Sequence, residues 1–488
     1  SEAVPFAKTG GLADVAGALP AALKALGHKV TIFMPHYTQF FSKYMAKAGE
    51  FKPERKVVIE KFKVPISNKE VNASLISYKL KENGLEYYCI DIPKFYDRTD
   101  LYGTTEEGDY KDNSERFIGF SRAVLEALKV LNDKPDVIHA NDWQSGMIPV
   151  YLKSLYSDHP LFKNTVSVFS IHNIAYQGVF WHYDMHITGL DWDYFTFDKL
   201  EFYGKINLLK GGIVFSDFVN TVSKRYAEEI QTSEFGYGLE GVLTAKRKDL
   251  DGIVNGIDYD IWNPETDKIL KKNFTPSNPV GKDVCKEDLQ EIFGVKVDKS
   301  KYLIGCVSRL ADQKGFDLIA DIFEEMINLD LQFVLLGTGD KKYHELFEKL
   351  NKKYPGKFGL KLAYNNDIAH KIYAGSDSFL MPSRYEPCGL GQLIAMKYGT
   401  VPVVRETGGL ADTVTPVNIG TKKGTGFRFK EYTGDALFKT IKESYNFYNK
   451  KEDWKELVMN CFNENFSWEQ SAKTYIDFYQ KYMKLKNL

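Results

Sequence analysis

Short apolar runs alternate with amphipathic segments along the whole chain. An apolar run bounded by glycine or polar residues predicts a buried strand, and apolar residues at every third or fourth position predict a helix. The predicted strands are Lys29–Met34, Leu85–Ile92, Val137–Ala140, Val166–Ile171, Phe218–Val222, Tyr302–Val307, Gln332–Leu336, Lys361–Ala363, Ser378–Met381 and Val401–Val404. The predicted helices are Leu12–Leu26, Glu115–Leu131, Gly146–Leu155, Asp317–Asn328, Lys342–Asn351, Ile368–Ala374 and Gly389–Tyr398. Strands that alternate with helices are typical of α/β proteins with parallel, doubly wound sheets.

The alternation occurs in both halves of a chain of 488 residues, which is too long for one core and predicts two domains. A charged stretch, Lys246–Asp251, separates the halves. We expect a first Rossmann-like domain over residues 1–247, a second over residues 254–466, and a C-terminal helix over residues 467–488 that crosses back to the first. The carboxyl ends of the two parallel sheets would face a deep cleft between the domains, where such sheets bind ligands.

The hexapeptide Thr-Gly-Gly-Leu-Ala-Asp occurs twice, at Thr9–Asp14 and at Thr407–Asp412. Glycines before a helix let backbone N–H groups approach an anion, and the helix start carries a partial positive charge. The first copy follows Lys8, whereas the second follows Glu406, whose charge would repel an anion. We therefore expect the first copy to take part in the chemistry and the second to be mostly scaffold.

Composition excludes several classes of partner. The formal net charge of −1 provides no field for a nucleic acid or an anionic membrane. Five scattered cysteines without a C-x-x-C pair argue against a disulfide framework and a zinc site, and favour a reducing compartment. No apolar run reaches the roughly 18 residues of a membrane span. The chain opens at Ser1 without methionine, as if a strand or a processed leader preceded it.

Motifs for common cofactors are missing from the sequence. There is no G-x-G-x-x-G after a first strand and no P-loop, which removes the best support for NAD or P-loop nucleotide binding. Three Asp-x-Asp pairs and the pair His182 and His186 could contribute metal ligands, but the acid pairs lie in turn-like contexts and the histidines lack a convincing third ligand. We expect no metal and no cofactor.

Two motifs in the second half suit a sugar diphosphate. Arg309 and Lys314 lie between a predicted strand and a predicted helix, and a guanidinium fork beside a point charge suits a diphosphate. The alternative is a surface ion pair with Asp312 or Asp317. Glu386 is expected to end a strand and Gly389–Leu390 to open a helix whose N–H groups could hold phosphate. A carboxylate beside phosphate is costly unless it binds hydroxyls, which a sugar offers.

In the first half, polar residues follow two apolar strands. Asn141, Asp142 and Trp143 come after one strand, and His172 and Asn173 after another. Catalytic groups concentrate at such strand ends in α/β proteins. Taken singly, His139 and His172 are each as consistent with a satisfied core residue as with a catalytic one.

Taken in order, these motifs resemble the glycogen and starch synthases that use ADP-glucose. The resemblance rests on Lys8–Leu12, His172–Asn173 with Tyr176–Gly178, Asn255–Asp258, Arg309 with Lys314–Gly315, and Glu386–Leu390. It implies a GT-B fold and transfer of glucose from ADP-glucose to the non-reducing end of an α-1,4-glucan, with retention of configuration. The implied partners are ADP-glucose and an acceptor such as glycogen, amylose or malto-oligosaccharide. The implied location is the cytoplasm, or the plastid stroma or starch granule of a photosynthetic eukaryote.

The resemblance also implies roles for individual residues. The expected catalytic residues are Glu386, His172, Asp142, Lys8, Arg309 and Lys314. The expected substrate-binding residues are Glu2, Gly10, Gly11, Asp14, Asn173, Asn255, Cys388, Gly389 and Leu390. The wider superfamily often has a second Glu eight positions after the first, where this chain has Ile394. Gly391 stands where relatives usually carry Thr or Ile.

The motifs offer no certain carboxylate nucleophile for a covalent intermediate. We therefore expect attack by the acceptor O4 on the same face from which ADP departs, and domain closure when the donor binds. Three alternatives stay open: a non-catalytic glucan-binding protein, a glucan phosphorylase with pyridoxal phosphate, and a transferase for a small acceptor such as a sugar phosphate.

Overall fold

The strands and helices alternate along the chain in the computed structural model, which describes residues 1–49, 52–104, 108–418 and 420–485. They form two units, each of which we describe by itself. The first contains Ser1–Val222, Ala227–Ile253 and Trp468–Leu488, and the second contains Ser223–Tyr226 and Val254–Ser467. The sequence placed residues 223–226 in the first domain, whereas they belong to the second unit.

The elements of the first unit surround two four-stranded sheets. Its strands are β1 (Thr31–Pro35), β2 (Glu54–Ile66), β3 (Lys69–Lys79), β4 (Glu86–Asp91), β5 (Gly103–Thr104), β6 (Gly108–Asp109), β7 (Val137–Asn141), β8 (Val166–Ile171), β9 (Val179–Trp181), β10 (Glu201–Phe202), β11 (Lys205–Asn207), β12 (Phe218–Thr221) and β13 (Leu250–Gly252). Its helices are α1 (Gly11–Ala25), α2 (Thr38–Lys47), α3 (Pro93–Tyr96), α4 (Asn113–Leu131), α5 (Met147–Leu152), α6 (Leu208–Phe215), the second half of α7 (Lys224–Glu229), and α8 (Glu240–Ala245).

The second unit is built on one six-stranded sheet. Its strands are β14 (Tyr302–Val307), β15 (Leu331–Leu336), β16 (Phe358–Lys361), β17 (Ser378–Met381), β18 (Val401–Arg405) and β19 (Phe427–Phe429). Its helices are α9 (Val280–Phe293), α10 (Phe316–Asn328), α11 (Lys341–Lys353), α12 (Asn366–Gly375), α13 (Gly391–Lys397), α14 (Gly408–Thr413), α15 (Gly434–Tyr448) and α16 (Lys451–Phe462). The last helix, α17 (Trp468–Leu485), belongs to the first unit.

The sheet of the second unit is entirely parallel, in the order β16-β15-β14-β17-β18-β19. The central strands β14 and β15 are buried along almost their whole length, so they read as continuous apolar runs. Strand β16 lies three residues before its predicted start at Lys361. The reason is packing, because Phe358 stacks on Phe333 of the neighbouring strand at 5.5 Å.

The first unit combines parallel pairing with an antiparallel part that the sequence did not predict. One sheet, β13-β12-β8-β7, is parallel, but the other, β1-β4-β3-β2, pairs β4 with β3 and β3 with β2 in antiparallel fashion. The long β2–β3 hairpin was not predicted. Residues 54–57 and 60–61 of β2 are exposed and its buried positions alternate only near its end, so the apolar signal of a strand is weak there.

The C-terminal helix packs on the parallel sheet and on α1. Its Trp468, Tyr475 and Tyr482 join a buried cluster with Leu19 of α1 and Phe218 of β12. The Phe218 and Tyr482 rings are stacked with centroids 3.5 Å apart. Among the helices that the structure describes, none has the length and hydropathy to cross a membrane.

Candidate functional site

A cavity of about 200 Å³ lies at the carboxyl ends of β14 and β17 in the second unit. The two strands are parallel neighbours, so the loops that follow them meet at one edge of the sheet. One loop brings Arg309 and Lys314 to the cavity, and the other brings Ser383 and Glu386. The remaining lining is largely apolar and includes Cys306, Val307, Tyr373, Leu380, Met381, Pro382 and Leu390.

Lys314 and Glu386 form an ion pair at this cavity. The Lys314 Nζ lies 2.7 Å from the Glu386 Oε2, which also accepts a hydrogen bond from the Ser383 hydroxyl at 2.9 Å. Glu386 is 6% exposed, so its charge needs these donors. The other oxygen, Oε1, contacts no donor in the described part of the chain. A buried carboxylate with one oxygen fixed and one available is suited to accept hydrogen bonds from a hydroxyl-bearing ligand.

The two carboxylates proposed as alternative partners of the cationic pair are taken by other groups. Asp312 accepts from Lys342 and from the Tyr343 hydroxyl, both at 2.5 Å. Asp317 accepts from the Tyr432 hydroxyl at 2.6 Å and lies 3.4 Å from Arg384. The alternative interpretation, in which Arg309 and Lys314 form a surface ion pair with Asp312 or Asp317, is therefore wrong. Arg309 is exposed, and no carboxylate of the described residues lies within ion-pair distance of its guanidinium.

The loop after β17 differs from its predicted form. Glu386 lies five residues beyond the last residue of β17, not at the strand end, and α13 begins at Gly391 rather than Gly389. Gly389 has a φ of +73°, which L side chains rarely adopt, and this conformation turns the chain before the helix. Burial raises the pKa of the Cys388 thiol to about 12, so the thiol is protonated and poorly nucleophilic.

Steric crowding explains why position 391 carries glycine and not a larger residue. A Cβ at this position would lie 2.8 Å from Phe379 Cε1 and 3.3 Å from Met381 Sδ. Both side chains belong to β17 and occupy the space that a larger residue would need. Ile394, at the position of the second superfamily Glu, is buried in α13.

The second Thr-Gly-Gly copy is packed against the Glu386 loop. The Gly409 N–H donates to the Glu386 and Pro387 carbonyls at 3.1 Å each. A Cβ on Gly408 would lie 2.0 Å from the Glu386 carbonyl oxygen, and one on Gly409 would lie 1.9 Å from that of Cys388. Glu406 pairs with Arg428 at 3.3 Å. This copy therefore positions the loop that carries Glu386.

Asn255 has an unsatisfied acceptor beside the same loop. The residue is 7% exposed, and its Oδ1 has no hydrogen-bond partner in the described part of the structure. The backbone N–H and the side-chain amide of Asn255 donate to the Cys388 sulfur, which places the two residues in contact. Because a buried orphan acceptor is costly, Asn255 is suited to a ligand donor such as a hydroxyl.

In the first unit, hydrogen bonds to the Glu2 carboxylate hold the first Thr-Gly-Gly copy in place. Its carboxylate accepts from the Thr9 backbone N–H, from the Thr9 hydroxyl at 2.9 and 3.0 Å, and from the Gly10 N–H at 3.4 Å. The Tyr102 hydroxyl donates to it at 3.1 Å. Glu2 is buried and fully engaged, so it orients the turn before α1.

The start of α1 faces open space, unlike the second copy. A Cβ built on Gly10 or Gly11 would meet nothing within 4 Å. Lys8 forms an exposed ion pair with Asp14 at 2.6 Å, over the first turn of the helix. Exposed pairs of this kind are weak, so Lys8 can exchange Asp14 for a ligand anion at little cost.

Asp142 and His172 meet at the ends of β7 and β8. The Asp142 Oδ1 accepts from the His172 backbone N–H at 2.8 Å, and Asp142 itself is held at a φ of 54°. A left-handed conformation in a non-glycine residue is strained and is typical of functional sites. Burial raises the pKa of Asp142 to about 7, with a further contribution from the charge of Glu2.

Burial lowers the pKa of His172 to about 3, so its imidazole is neutral. Its Nε2 lies 2.9 Å from the Asn141 Oδ1, which can only accept, so Nε2 carries the proton and donates. The Nδ1 lone pair has no donor in the described part of the chain. His172 can therefore accept a hydrogen bond from a ligand hydroxyl through Nδ1.

His139 is a structural residue. Its Nδ1 lies 2.7 Å from the Tyr479 hydroxyl and its Nε2 lies 2.5 Å from the Ser170 hydroxyl, which donates to Asn220 at 2.6 Å. These bonds tie α17 to the parallel sheet and leave neither ring nitrogen for a ligand.

The sequence missed three residues that fix the site. Tyr102 reaches Glu2 from a hundred residues away, and no local pattern marks it. Asn141 sets the tautomer of His172, and Ser383 binds Glu386. Asn141 and Ser383 lie inside motifs that the sequence analysis had identified. The signal that could have found them is a polar side chain at or just after the end of an apolar strand. No group of three or more His, Cys, Asp or Glu that could hold a metal occurs among the described residues.

Comparisons with known proteins agree along the whole chain. Residues 1–245 match the family described as starch synthase catalytic domain, and residues 288–458 match glycosyl transferases group 1. The glycogen synthase of Koribacter versatilis is 46% identical over 482 residues, which cover 99% of this chain and 96% of that relative. The glycogen synthase of Thermotoga maritima is 45% identical over 481 residues, which cover 98% and 97%.

Solved structures show the same relationship. The catalytic domain of starch synthase IV from Arabidopsis thaliana, bound to ADP and acarbose, has a TM-score of 0.87 at 33% identity and covers 99% of this chain and 98% of that one. Sucrose-phosphate synthase from Thermosynechococcus elongatus has a TM-score of 0.58 at 15% identity, with 97% and 94% covered, and shares the fold.

Two α/β units with these matches define a glycosyltransferase of the GT-B fold, as the sequence predicted. The chain belongs to the family of glycogen and starch synthases. It is accordingly a glucosyltransferase of glucan synthesis, which confirms the predicted enzyme class.

Proposed function

We propose that the protein transfers glucose from ADP-glucose to the non-reducing end of an α-1,4-glucan, with retention of configuration. The observation that carries the proposal is the cavity of the second unit, where Arg309, Lys314 and Glu386 come together. The second unit holds the nucleotide sugar and the first unit holds the acceptor side of the reaction. ADP in the related starch synthase IV structure supports this choice of nucleotide, and acarbose, an oligosaccharide mimic, supports a glucan acceptor.

Departure of ADP requires neutralisation of its growing negative charge. Arg309 supplies a guanidinium that has no ion-pair partner among the described residues, and Lys314 lines the cavity in contact with Glu386. Removal of one well-placed group of this kind typically lowers kcat by about 10²–10³-fold. The N–H groups of the Cys388–Leu390 segment, which precede α13, contribute further donors in this proposal.

Glu386 binds sugar hydroxyls and does not attack the sugar carbon. Its Oε2 is held by Lys314 and Ser383, which leaves Oε1 as the acceptor for sugar hydroxyls in this proposal. His172 and Asn255 bring two more acceptors, Nδ1 and Oδ1, that lack partners in the described part of the structure. Gly10, Gly11 and Asn173 belong to the same set of substrate-binding positions, with Glu2 and Asp14 as their supports.

The acceptor O4 attacks the face from which ADP leaves, and the departing phosphate takes the acceptor proton. Neutral His172 supplies no proton at physiological pH, because its pKa is lowered to about 3 by burial. Mass spectrometry after incubation with a fluorinated donor analogue is expected to find no glucosylated protein. A covalent adduct on a carboxylate would contradict same-face attack.

The test of the whole proposal is ADP release with glycogen as the acceptor. ADP-glucose is compared with UDP-glucose in the wild-type protein and in Glu386→Ala. We expect faster release from ADP-glucose and a loss of about 10²-fold or more in the variant. Glu345→Ala, on the exposed face of α11, is the matched carboxylate control and should retain full activity.

Normal turnover by Glu386→Ala would overturn the site assignment. Release of ADP only with a sugar phosphate as acceptor would favour the small-acceptor transferase. Glucose 1-phosphate production from glycogen and phosphate, with visible cofactor absorbance, would favour the phosphorylase. We also propose a cytoplasmic location, with the plastid as the alternative, because the matched glycogen synthases are bacterial.

A further inference from the structure

Gln392, the second residue of α13, is a fully buried polar side chain beside the loop that carries Glu386. Its amide nitrogen, Nε2, donates to the Cys388 carbonyl at 3.1 Å and to the Gly389 carbonyl at 2.9 Å. Both carbonyls belong to the loop and precede the helix. The side chain of Gln392 therefore fixes two successive peptide groups of the Glu386 loop.

The two bound carbonyls set the direction of the N–H groups that follow them. In a trans peptide the C=O and the next N–H point in opposite directions. Because the Cys388 and Gly389 carbonyls point to Gln392, the Gly389 and Leu390 N–H groups point away from it. Neither N–H has an acceptor in the part of the chain that the structure describes. Gly389 and Leu390 both line the cavity of the second unit.

The backbone of the same segment brings these N–H groups together. Gly389 has a φ of +73°, whereas Leu390 has a φ of −107° and a ψ of −26°, in the right-handed region. Successive residues of opposite handedness form a nest, a concave turn whose N–H groups converge and attract an anion. A Cβ on Gly389 would lie 2.5 Å from the Gln392 Oε1, so the packing of Gln392 and the positive φ both require glycine here.

A further hydrogen bond connects Gln392 to the second Thr-Gly-Gly copy. The Thr413 hydroxyl accepts from Nε2 at 3.1 Å and donates to the Gly409 carbonyl at 2.6 Å. Thr413 is buried and comes immediately after the second copy, whereas Val15, which has no hydroxyl, comes after the first. The connection is therefore specific to the copy that packs on the Glu386 loop.

Packing alone does not explain a glutamine at position 392. Its Oε1 has no donor in the described part of the structure, and a buried unsatisfied acceptor destabilises the folded state. Methionine, which is apolar and of similar size, would fill the same space without that cost. What methionine lacks is the amide donor and its contacts with Cys388, Gly389 and Thr413.

We propose that Gln392 is a positioning residue that holds the Gly389 and Leu390 N–H groups in place to bind the diphosphate of the donor, an inference that rests on the proposed function. Gln392 itself does not touch the donor. It fixes the carbonyls behind the nest, so the N–H groups are aligned before the donor arrives and little ordering of the loop accompanies binding. The same aligned N–H groups stabilise the charge that develops on the departing ADP.

The first experiment measures the binding of ADP and of adenosine to the whole protein by isothermal titration calorimetry. Gln392→Met keeps the size of the side chain and removes its donors. We expect ADP to bind about tenfold more weakly to this variant, because its diphosphate meets misaligned N–H groups. Adenosine, which has no phosphate, is expected to bind as it does to the wild type.

Gln290→Met is the matched control for the loss of a buried amide. Gln290 is equally buried in α9 of the same unit, and its amide donates to the Asp298 carbonyl at 2.9 Å and to the Gln332 Oε1 at 2.6 Å. Both substitutions should lower the free energy of unfolding. Only Gln392→Met should change the ratio of the ADP affinity to the adenosine affinity, which a purely structural role would leave unchanged.

Thr413→Val tests the same network without altering Gln392, and it decides the question if Gln392→Met does not fold. The change removes the hydroxyl that accepts from the Gln392 amide, so ADP should bind about three- to fivefold more weakly while adenosine binding is unchanged. Thr413→Ser keeps the hydroxyl and should restore the wild-type affinity for ADP.

The second experiment measures ADP release with glycogen as the acceptor. Gln392→Met should lower kcat/KM for ADP-glucose by about 10–100-fold and leave KM for glycogen unchanged, because the acceptor does not contact the nest. Unchanged ADP affinity in Gln392→Met and Thr413→Val would overturn the inference alone, as would equal weakening of ADP and adenosine. Wild-type protein that binds ADP no better than adenosine would overturn the proposed function and this inference with it.

Discussion

At the scale of residues, the candidate site contains buried groups whose backbone conformation, pKa or hydrogen bonding differs from that of an ordinary exposed residue. Asp142 is strained at a φ of 54° and has its pKa raised, whereas His172 has its pKa lowered until the ring is neutral. Glu386 is buried and accepts from Lys314 and Ser383. The folded chain bears these costs at positions that the proposed reaction uses, as is usual for functional sites.

The raised pKa of Asp142 predicts a pH-dependent loss of stability. The folded protein binds this proton more tightly than the unfolded chain, so the free energy of unfolding falls as pH rises from about 4 to the folded pKa of about 7. Above that range both states are ionised and the loss is complete, at no more than about 4 kcal/mol.

Asp142→Asn cannot ionise and should lack this loss. Urea unfolding of wild type and variant at pH 5 and pH 8 is the measurement, and the variant is expected to gain relative stability at pH 8. A matched control is Asp184→Asn, which changes an acid in the first unit outside the candidate site. Parallel pH profiles for wild type and Asp142→Asn would rule out titration of Asp142 in this range.

At the scale of elements, the same hexapeptide does two different things. Gly10 and Gly11 lie at the start of α1, where an added Cβ would contact nothing. Gly408 and Gly409 lie in close contact with backbone carbonyls of the Glu386 loop. Local sequence is identical and both copies start a helix, so the difference comes only from what packs against them. The space beside the first copy is open to a ligand, whereas the corresponding space beside the second copy is occupied by protein backbone.

Alanine substitution at corresponding positions should separate the two copies. Gly409→Ala forces a Cβ to within 1.9 Å of a backbone oxygen and should lower the free energy of unfolding by about 2 kcal/mol or more. Gly11→Ala meets nothing within 4 Å and should change it by less than about 1 kcal/mol. Chemical denaturation of both variants is the measurement.

Activity provides a second comparison between the glycine variants. Gly409→Ala displaces the Glu386 loop and is expected to raise KM for ADP-glucose. Equal stabilities for the two variants would refute the difference in packing between the copies.

At the scale of the whole molecule, the end of the chain completes the first unit. Helix α17 buries Trp468, Tyr475, Phe478 and Tyr482 against the parallel sheet and α1. His139 and Asn220 of the sheet bond to tyrosines of this helix. These contacts join residues separated by more than 250 positions, so the first unit cannot complete its core until α17 is made.

Removal of the Phe478 ring should destabilise the first unit. Phe478 is 5% exposed and packs on Tyr482, so Phe478→Ala is expected to lower the free energy of unfolding by about 3–5 kcal/mol. Thermal unfolding followed by calorimetry is the measurement, and Lys473→Ala on the exposed face of α17 is the control. An unchanged transition in Phe478→Ala would show that α17 does not stabilise the unit.

The sequence by itself determined the alternation of strands and helices, the GT-B class and the enzyme family. Buried parallel strands such as Val166–Ile171, Tyr302–Val307 and Ser378–Met381 are short, mainly apolar runs, so the apolar pattern located them to the residue. The antiparallel β2–β3 hairpin was not predicted, because the exposed residues of β2 leave little apolar signal. Motifs with fixed spacing named the candidate site residues, whose roles stay predictions.

Only the tertiary structure decided how those residues are held. The Lys314–Glu386 pair, the Tyr102 bond to Glu2 and the contact of Gly409 with Glu386 each join distant segments, and no local pattern encodes such a distance. Burial, which sets the pKa of Asp142 and of His172, is likewise a property of the folded chain. The physical reason is that local sequence specifies conformation and hydrophobic faces, whereas charge states and packing partners depend on what the rest of the chain places around them.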